Sequence, residues 1–230
     1  MEVLRNLPTG EPEQLAGLIT VQPGRVVSMA MSRSQHCQMT LLAFGDGESV
    51  SEECYFGDTL YHVLEGGLSV TLEGRSGSFG PETAWRCPPG RATPWPPRRA
   101  ASCCRLPFRE NKEETSMEAL IKNVPHAQPF ALSQQVDYQP GKVVSLTLAQ
   151  QPGVGITLFA FDAGEAISTH AAGGDAIATV LEGTARITID GVPYTVNAGE
   201  AIVMPAGIPH AVEAITAFKM YLVVAKTPNI

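Results

Sequence analysis

The sequence predicts an all-β chain made of two barrel-like domains in tandem. Two observations carry this. The first is a repeat at one offset. Pro140-Gly141-Lys142-Val143-Val144-Ser145 answers Pro23-Gly24-Arg25-Val26-Val27-Ser28, Ala160–Glu165 answers Ala43–Glu48, and Val180-Leu181-Glu182-Gly183 answers Val63-Leu64-Glu65-Gly66, each pair 117 positions apart. A constant offset across three separated blocks marks one duplicated domain, large enough to bury its own core. The second is texture: short runs of Val, Ile, Thr and Phe alternate with Gly, Pro, Asn and Asp, the mark of a sandwich or barrel.

The second copy, residues 117–230, reads as a complete domain. Strands are expected over Val143–Ala149, Gly155–Asp162, Ala176–Leu181, Ala185–Ile189, Val192–Val196, Ala201–Met204, His210–Ala214 and Phe218–Ala225. Asp190-Gly191 between two such runs predicts a tight hairpin, since a type I′ turn needs positive φ at both central residues. A short helical turn is expected within residues 118–136. A double-sheet jelly roll accommodates this many short strands.

Composition excludes some roles. With 23 acidic against 16 basic side chains, the net charge of −7 argues against nucleic-acid binding. No run of 18 apolar residues is present, so no membrane-spanning helix is expected, and the first residues lack the basic-then-apolar signal of secretion; a cytoplasmic location is the expectation. Cys37, Cys54, Cys87, Cys103 and Cys104 are odd in number and show no Cys-x-x-Cys spacing, which reads as reduced, incidental thiols.

Two motifs in the second copy carry a family resemblance. Gly164 is followed by His170, and Gly183 closes that segment; Gly199, Pro205, Gly207 and His210 fall at the spacing Gly-x5-Pro-x-Gly-x2-His. These residues resemble the two motifs of the cupin superfamily, and Ser168–Ala176 is similar to a subgroup of small bacterial cupins. The resemblance covers residues 140–225 and, through the repeat, 23–74. It implies an RmlC-like jelly roll, a small-molecule ligand and pairing into a homodimer. In metal-binding cupins two His and a Glu of the first motif and a His of the second hold a divalent ion. Here His170 and His210 stand at two of those positions, while Ala172 and Ala176 occupy the other two and Ala214 replaces the final Asn.

Two imidazoles suit Fe, Mn, Zn or Ni but fall short of the usual three or four protein ligands. The resemblance therefore leaves two function classes. One is an enzyme on a small, partly apolar substrate, with His170 and His210 as weak metal ligands or as acid and base. The other is a non-catalytic binding or interaction module that has lost its metal site. Small residues at Ala172, Ala176, Ala178 and Ala214, with Met204 and Met220, suggest a mostly apolar interior. Asp175 and Thr179 are candidate polar groups of a ligand pocket, although strand alternation should turn Asp175 away from the face of Ala176.

The first copy departs from the second. Glu53 stands at the position of His170, Asp58 at that of Asp175, His62 at that of Thr179 and Thr93 at that of His210. Residues 75–109 hold seven Arg, seven Pro, both Trp and a single acidic residue, Glu82. Proline removes ladder donors, so this stretch is expected to lack regular strands. The resulting division is a partial first copy over 1–74, an irregular Arg/Pro-rich segment over 75–116 and a complete copy over 117–230. Back-translated into GC-rich codons and read one base earlier, Arg86–Trp95 can encode V-P-A-G-P-G-H-A-V with the free wobble bases suitably chosen, which matches Met204–Val212 in register. A frameshifted half-barrel near residue 75 is the corresponding expectation.

Overall fold

In a computed structural model, residues 3–32, 38–50, 53–55, 57–72, 75–87, 90–95, 101–107 and 120–226 are described; the side chains of 53–55, 75, 90–95 and 101–107 are not. The chain is all-β, with two short 3-10 turns at Leu15–Leu18 and Leu132–Gln135, the second inside the stretch where a helical turn was expected. Among the described residues no helix is long and apolar enough to cross a membrane.

The first copy supplies β1 (Glu13–Gln14), β2 (Val26–Ala30), β3 (Thr40–Phe44), β4 (Glu53–Tyr55), β5 (Thr59–Glu65), β6 (Leu68–Leu72), β7 (Arg75–Phe79), β8 (Thr83–Cys87), β9 (Gly90–Trp95) and β10 (Ala101–Pro107). The second supplies β11 (Pro129–Ala131), β12 (Val143–Gln151), β13 (Val154–Phe161), β14 (Ala166–His170), β15 (Gly174–Glu182), β16 (Thr184–Ile189), β17 (Val192–Asn197), β18 (Glu200–Met204), β19 (His210–Ala214) and β20 (Phe218–Lys226). Each strand of one copy has its counterpart ten strands on.

Each barrel is two antiparallel sheets. The first combines β11-β8-β5-β10-β3-β2 with β4-β9-β6-β7; the second combines β1-β18-β15-β20-β13-β12 with β14-β19-β16-β17. In the second, alternation sends Ala176, Ala178 and Val180 of β15 into a core with Phe161, Phe218, Ile187 and Val212. Asp190 (φ 50°) and Gly191 (φ 79°) turn between β16 and β17 with both central residues at positive φ, as the sequence predicts.

The structure corrects the expected division. Four strands, β7 to β10, run through residues 75–107, so the first barrel is not truncated at residue 74. Long-range pairing overrides local texture here. β10 pairs with β3 and β5 in the register that β20 takes on β13 and β15, even to the irregularity between Ser102 and Cys103. Among the described prolines of this stretch, Pro81 lies between β7 and β8, Pro107 ends β10 and Pro94 is internal to β9; Pro88, Pro89, Pro96 and Pro97 lie outside the described residues. Residues 108–116 lie outside the described residues.

The copy boundary moves as well. The compact units are Met1–Leu15 with Leu132–Ile230, and Ala16–Ala131. Each unit thus contains the N-terminal arm of the other copy. Glu13 and Gln14 of β1 pair with Ala201 and Glu200 of β18, while Phe130 and Ala131 of β11 pair with Ala84 and Thr83 of β8, the equivalent positions.

The first barrel fills its interior with Tyr61, Phe79, Trp85 and Cys87, where the second has Ala178, Val196, Ile202 and Met204. Phe79 and Trp85 stack at 5.4 Å. Gly77 makes room for this: a Cβ there would overlap the six-membered ring of Trp85. Burial pushes the Cys87 thiol up to about 12, so this free cysteine stays protonated.

Gly77→Ala should therefore destabilise the first unit by about 2 kcal/mol, through overpacking. Gly191→Ala, which meets nothing within 4 Å, should cost the second unit about 1 kcal/mol, from its positive φ alone. Thermal unfolding of the two variants checks both, and equal losses would contradict the packing argument.

Candidate functional site

His170 and His210 meet at adjoining ends of β14 and β19, where they are Cα partners. On β19, His210 shares its face with the buried Val212 and Ala214, which point into the core. On β14, Ile167 packs against that core and pairs with Val212, yet the next recorded pair is His170 with His210. Three residues of β14 are thus spanned against two of β19. This extra residue is a β-bulge, and it returns His170 to the face of Ile167 when simple alternation would have turned it away.

The rings stand edge to face, with centroids 4.5 Å apart and planes at 64°. Each ring is fixed by its own strand: Nδ1 of His170 lies 2.9 Å from the carbonyl of Ser168, and Nδ1 of His210 lies 2.9 Å from that of Ile208. A carbonyl oxygen only accepts, so Nδ1 carries the proton in both rings and Nε2 of each neutral imidazole is left as an acceptor.

The two histidines differ in environment. His210 is buried, whereas His170 is exposed. Burial pushes the pKa of His210 below the usual histidine value; the Ile208 carbonyl opposes this and the neighbouring His170 adds to it. His210 is accordingly held neutral at neutral pH. Acid must protonate it on unfolding before it does so in the fold. Its contribution to stability is therefore present above about pH 6.5 and is lost as pH falls through the lowered value.

The remaining expected pocket residues divide by face. Ala176 and Met204 are Cα partners and belong to the barrel core, as do Ala178, Ala214 and Met220. Ala172 is half-buried between β14 and β15, and its carbonyl accepts the N–H of Gly207. Asp175 and Thr179 are corrections. Both lie on the face of β15 opposite Ala176, Ala178 and Val180, so neither lines the interior.

Asp175 is used elsewhere. It is 5% exposed, and Oδ2 accepts the N–H groups of Val3 (2.7 Å) and Leu4 (3.2 Å), while Oδ1 accepts that of Ala206 (2.9 Å). Its counterpart Asp58 accepts the N–H of Ile121 at 2.7 Å and pairs with Arg86 at 3.0 Å. The sequence reading missed this anchoring role. The signal was the same Asp at both positions 58 and 175, conserved through the repeat while the ligand positions changed.

Among the described residues, no group of three or more His, Cys, Asp or Glu converges in metal-binding fashion. The donor set at the mouth is two imidazole nitrogens with alanines at the other two positions. It does not fit a tight resident divalent ion, which takes three or four protein ligands.

In the first barrel, Glu53 opposes Ala92. Ser69 faces Trp95 across β6 and β9, whereas the equivalent Arg186 faces Glu213, one position further along. β9 is thus slipped by one residue relative to β19, and Ala92, not Thr93, takes the backbone place of His210. The side chains of Glu53 and Thr93 lie outside the described residues. His62, opposite in face to the interior residues Tyr61 and Val63, is buried, and burial drives its pKa down to about 4.

Comparison with known proteins agrees with this architecture. Residues 157–225 match the family model described as Cupin domain. The chain is 27% identical to a Cupin 2 conserved barrel domain protein from Leptotrichia buccalis, with a TM-score of 0.84 over 96% of this chain and 98% of that one. It shares its fold with a salicylate 1,2-dioxygenase from Pseudaminobacter salicylatoxidans (11% identity, TM-score 0.64, 86% of this chain and 76% of that one). The same holds for the protein YlbA of E. coli (15% identity, TM-score 0.63, 97% and 94%). No curated protein matches the chain. The chain belongs to the cupin superfamily, as a tandem of two jelly-roll barrels.

In an NMR titration, the ring protons of His210 should titrate below the usual histidine range. His170→Ala should move that titration upward, because removing the neighbouring imidazole removes a charge that opposes protonation. An unchanged His210 titration would show that the rings are not coupled.

Proposed function

We propose that the second barrel binds one small, partly apolar molecule at its mouth, with His170 and His210 as the polar contacts. The observation that carries this reading is the orientation of the two rings. Both Nδ1 atoms are held by carbonyls of their own strands, so both Nε2 atoms are acceptors with fixed directions. His210 shares its face of β19 with Val212 and Ala214, which belong to one buried apolar core with Ala176 and Met204, and this favours an apolar body. A ligand with a hydrogen-bond donor beside an apolar group fits this pairing.

The chemistry available is proton transfer. His210, neutral at neutral pH, would take a proton at Nε2 from a bound donor. His170, exposed beside it, would exchange that proton with water. A divalent ion bound at the two Nε2 atoms would polarise a ligand oxygen, but two protein ligands hold such an ion weakly. No step of the proposed proton transfer passes through one.

A non-catalytic binding module is the second reading. Its specific support is the alanines, Ala172 and Ala176, at the other two ligand positions, and the commitment of Asp175 to backbone amides.

The test is an NMR screen of small aromatic and aliphatic donors, read at the histidine ring resonances of the full chain. Binders are expected to shift both His170 and His210, to lose affinity at least about tenfold in His210→Ala, the loss of one good hydrogen bond to a buried partner, and to lose less in His170→Ala, whose ring is exposed. Hydrogen–deuterium exchange at an acidic C–H of a bound ligand would mark the enzyme, and binding without exchange the module. Binders that leave both rings unmoved would overturn the site.

A further inference from the structure

The Asp175 anchor lies outside the site described above. In the second unit, Asp175 and the edge of β18 receive the arm of residues 3–14: two amides on the carboxylate, Thr9 bridging Val203, and Glu13 and Gln14 pairing with Ala201 and Glu200. In the first unit, Asp58 and the edge of β8 receive Ile121 and residues 129–131. Leu4 and Ile121 are equivalent through the repeat, as are Asp58 and Asp175. Each seat therefore holds the arm of the other copy, with one shared amide-to-carboxylate bond (Leu4 on Asp175, Ile121 on Asp58) and ladder pairs in the same register; Asp175 takes the Val3 amide in addition, where Asp58 pairs with Arg86. Backbone N–H groups and ladder pairing hold both arms, and the side chains each arm buries at the equivalent position, Leu4 and Ile121, are both apolar and of similar size.

We infer that the seat formed by Asp175 and the β18 edge is an exchangeable docking site for a cupin N-terminal arm, and that it accepts this arm from a second copy of the chain. The donors are main-chain, the seat is the exposed-edge problem of every open sheet, and the two arms already occupying such seats differ in sequence. The chain's own arm holds the site by tethering. A tether of this kind supplies an effective concentration in the millimolar range, so the native chain takes up its own arm first. Release of the tethered arm opens the seat to another chain and joins two copies by strand exchange.

The experiment uses the full chain carrying Val3→Pro and Leu4→Pro. Proline has no N–H, so both bonds to Asp175 are lost while every barrel residue is retained. The probe is a fluorescein-labelled peptide with the sequence of residues 1–16, and a second with that of residues 117–132, followed by anisotropy. Both peptides are expected to bind the double-proline chain saturably, to bind the unaltered chain at least about tenfold more weakly, and to lose at least about tenfold in affinity when Asp175→Asn is added, since the amide then turns an N–H toward other donors. No saturable binding, binding indifferent to Asp175→Asn, or binding of only one peptide would overturn the inference. Hydrogen exchange on the unaltered chain is the second measurement: the Val3 and Leu4 amides should exchange at least about tenfold faster in Asp175→Asn. Equal rates would overturn the seat itself, whatever the fate of the histidine site.

Discussion

A buried carboxylate must be met by donors, and in this chain that requirement shapes both barrels. Asp175 satisfies it with three backbone N–H groups from two separate segments, and Asp58 with one backbone N–H and the guanidinium of Arg86. Removing such a carboxylate would strand donors away from water, each worth roughly 1–3 kcal/mol. The arms follow from this. Beyond Val3 and Leu4 on Asp175, Thr9 bridges Val203 and Glu13 and Gln14 pair with Ala201 and Glu200, which gives the edge of β18 the neighbour it would otherwise lack. The six-strand sheets are complete only because these arms are in place.

With equal frames, the barrels diverge inside. The first packs Tyr61, Phe79 and Trp85 where the second carries Ala178, Val196 and Ile202, and Gly77 gives the indole its space. Its β9 runs one residue out of step with β19, and a one-residue slip exchanges the faces of a strand. The second barrel keeps its small interior residues and the bulge in β14. The histidine pair belongs to the second barrel, since Glu53 and Thr93 stand at the equivalent sequence positions of the first.

Much of this was legible in the sequence, and the misses have physical causes. The offset of 117 revealed the duplication, alternation gave most strands of the second copy, and Asp190-Gly191 gave its tightest hairpin. β14 escaped because its side chains are largely exposed and its bulge breaks the period of two. Strands β7 to β10 escaped because proline density is a local signal, while their positions are set by partners 40 or more residues away in some pairs, such as Ala101 with Phe44. His170 and His210 were found by spacing. Thr179 was placed on the wrong face, and Asp175 was placed in the pocket although alternation argued against it. The exchange of arms was invisible, because a repeat shows that two arms and two seats match and is silent on which arm takes which seat.

The exchange has a consequence for the order in which the molecule assembles. A ribosome delivers residues in order, so the arm emerges before the strand that seats it. Its anchor is 172 residues downstream of Val3, and the strand that β1 pairs with ends only at Met204. The arm therefore has no seat until β18 has been synthesised. The first barrel waits too, since Ile121 must arrive before Asp58 is satisfied. Contacts of such long range close late and slowly. From the synthesis of β1 to that of β18 a nascent chain accordingly carries an unplaced strand, the state in which neighbouring nascent copies on one message meet.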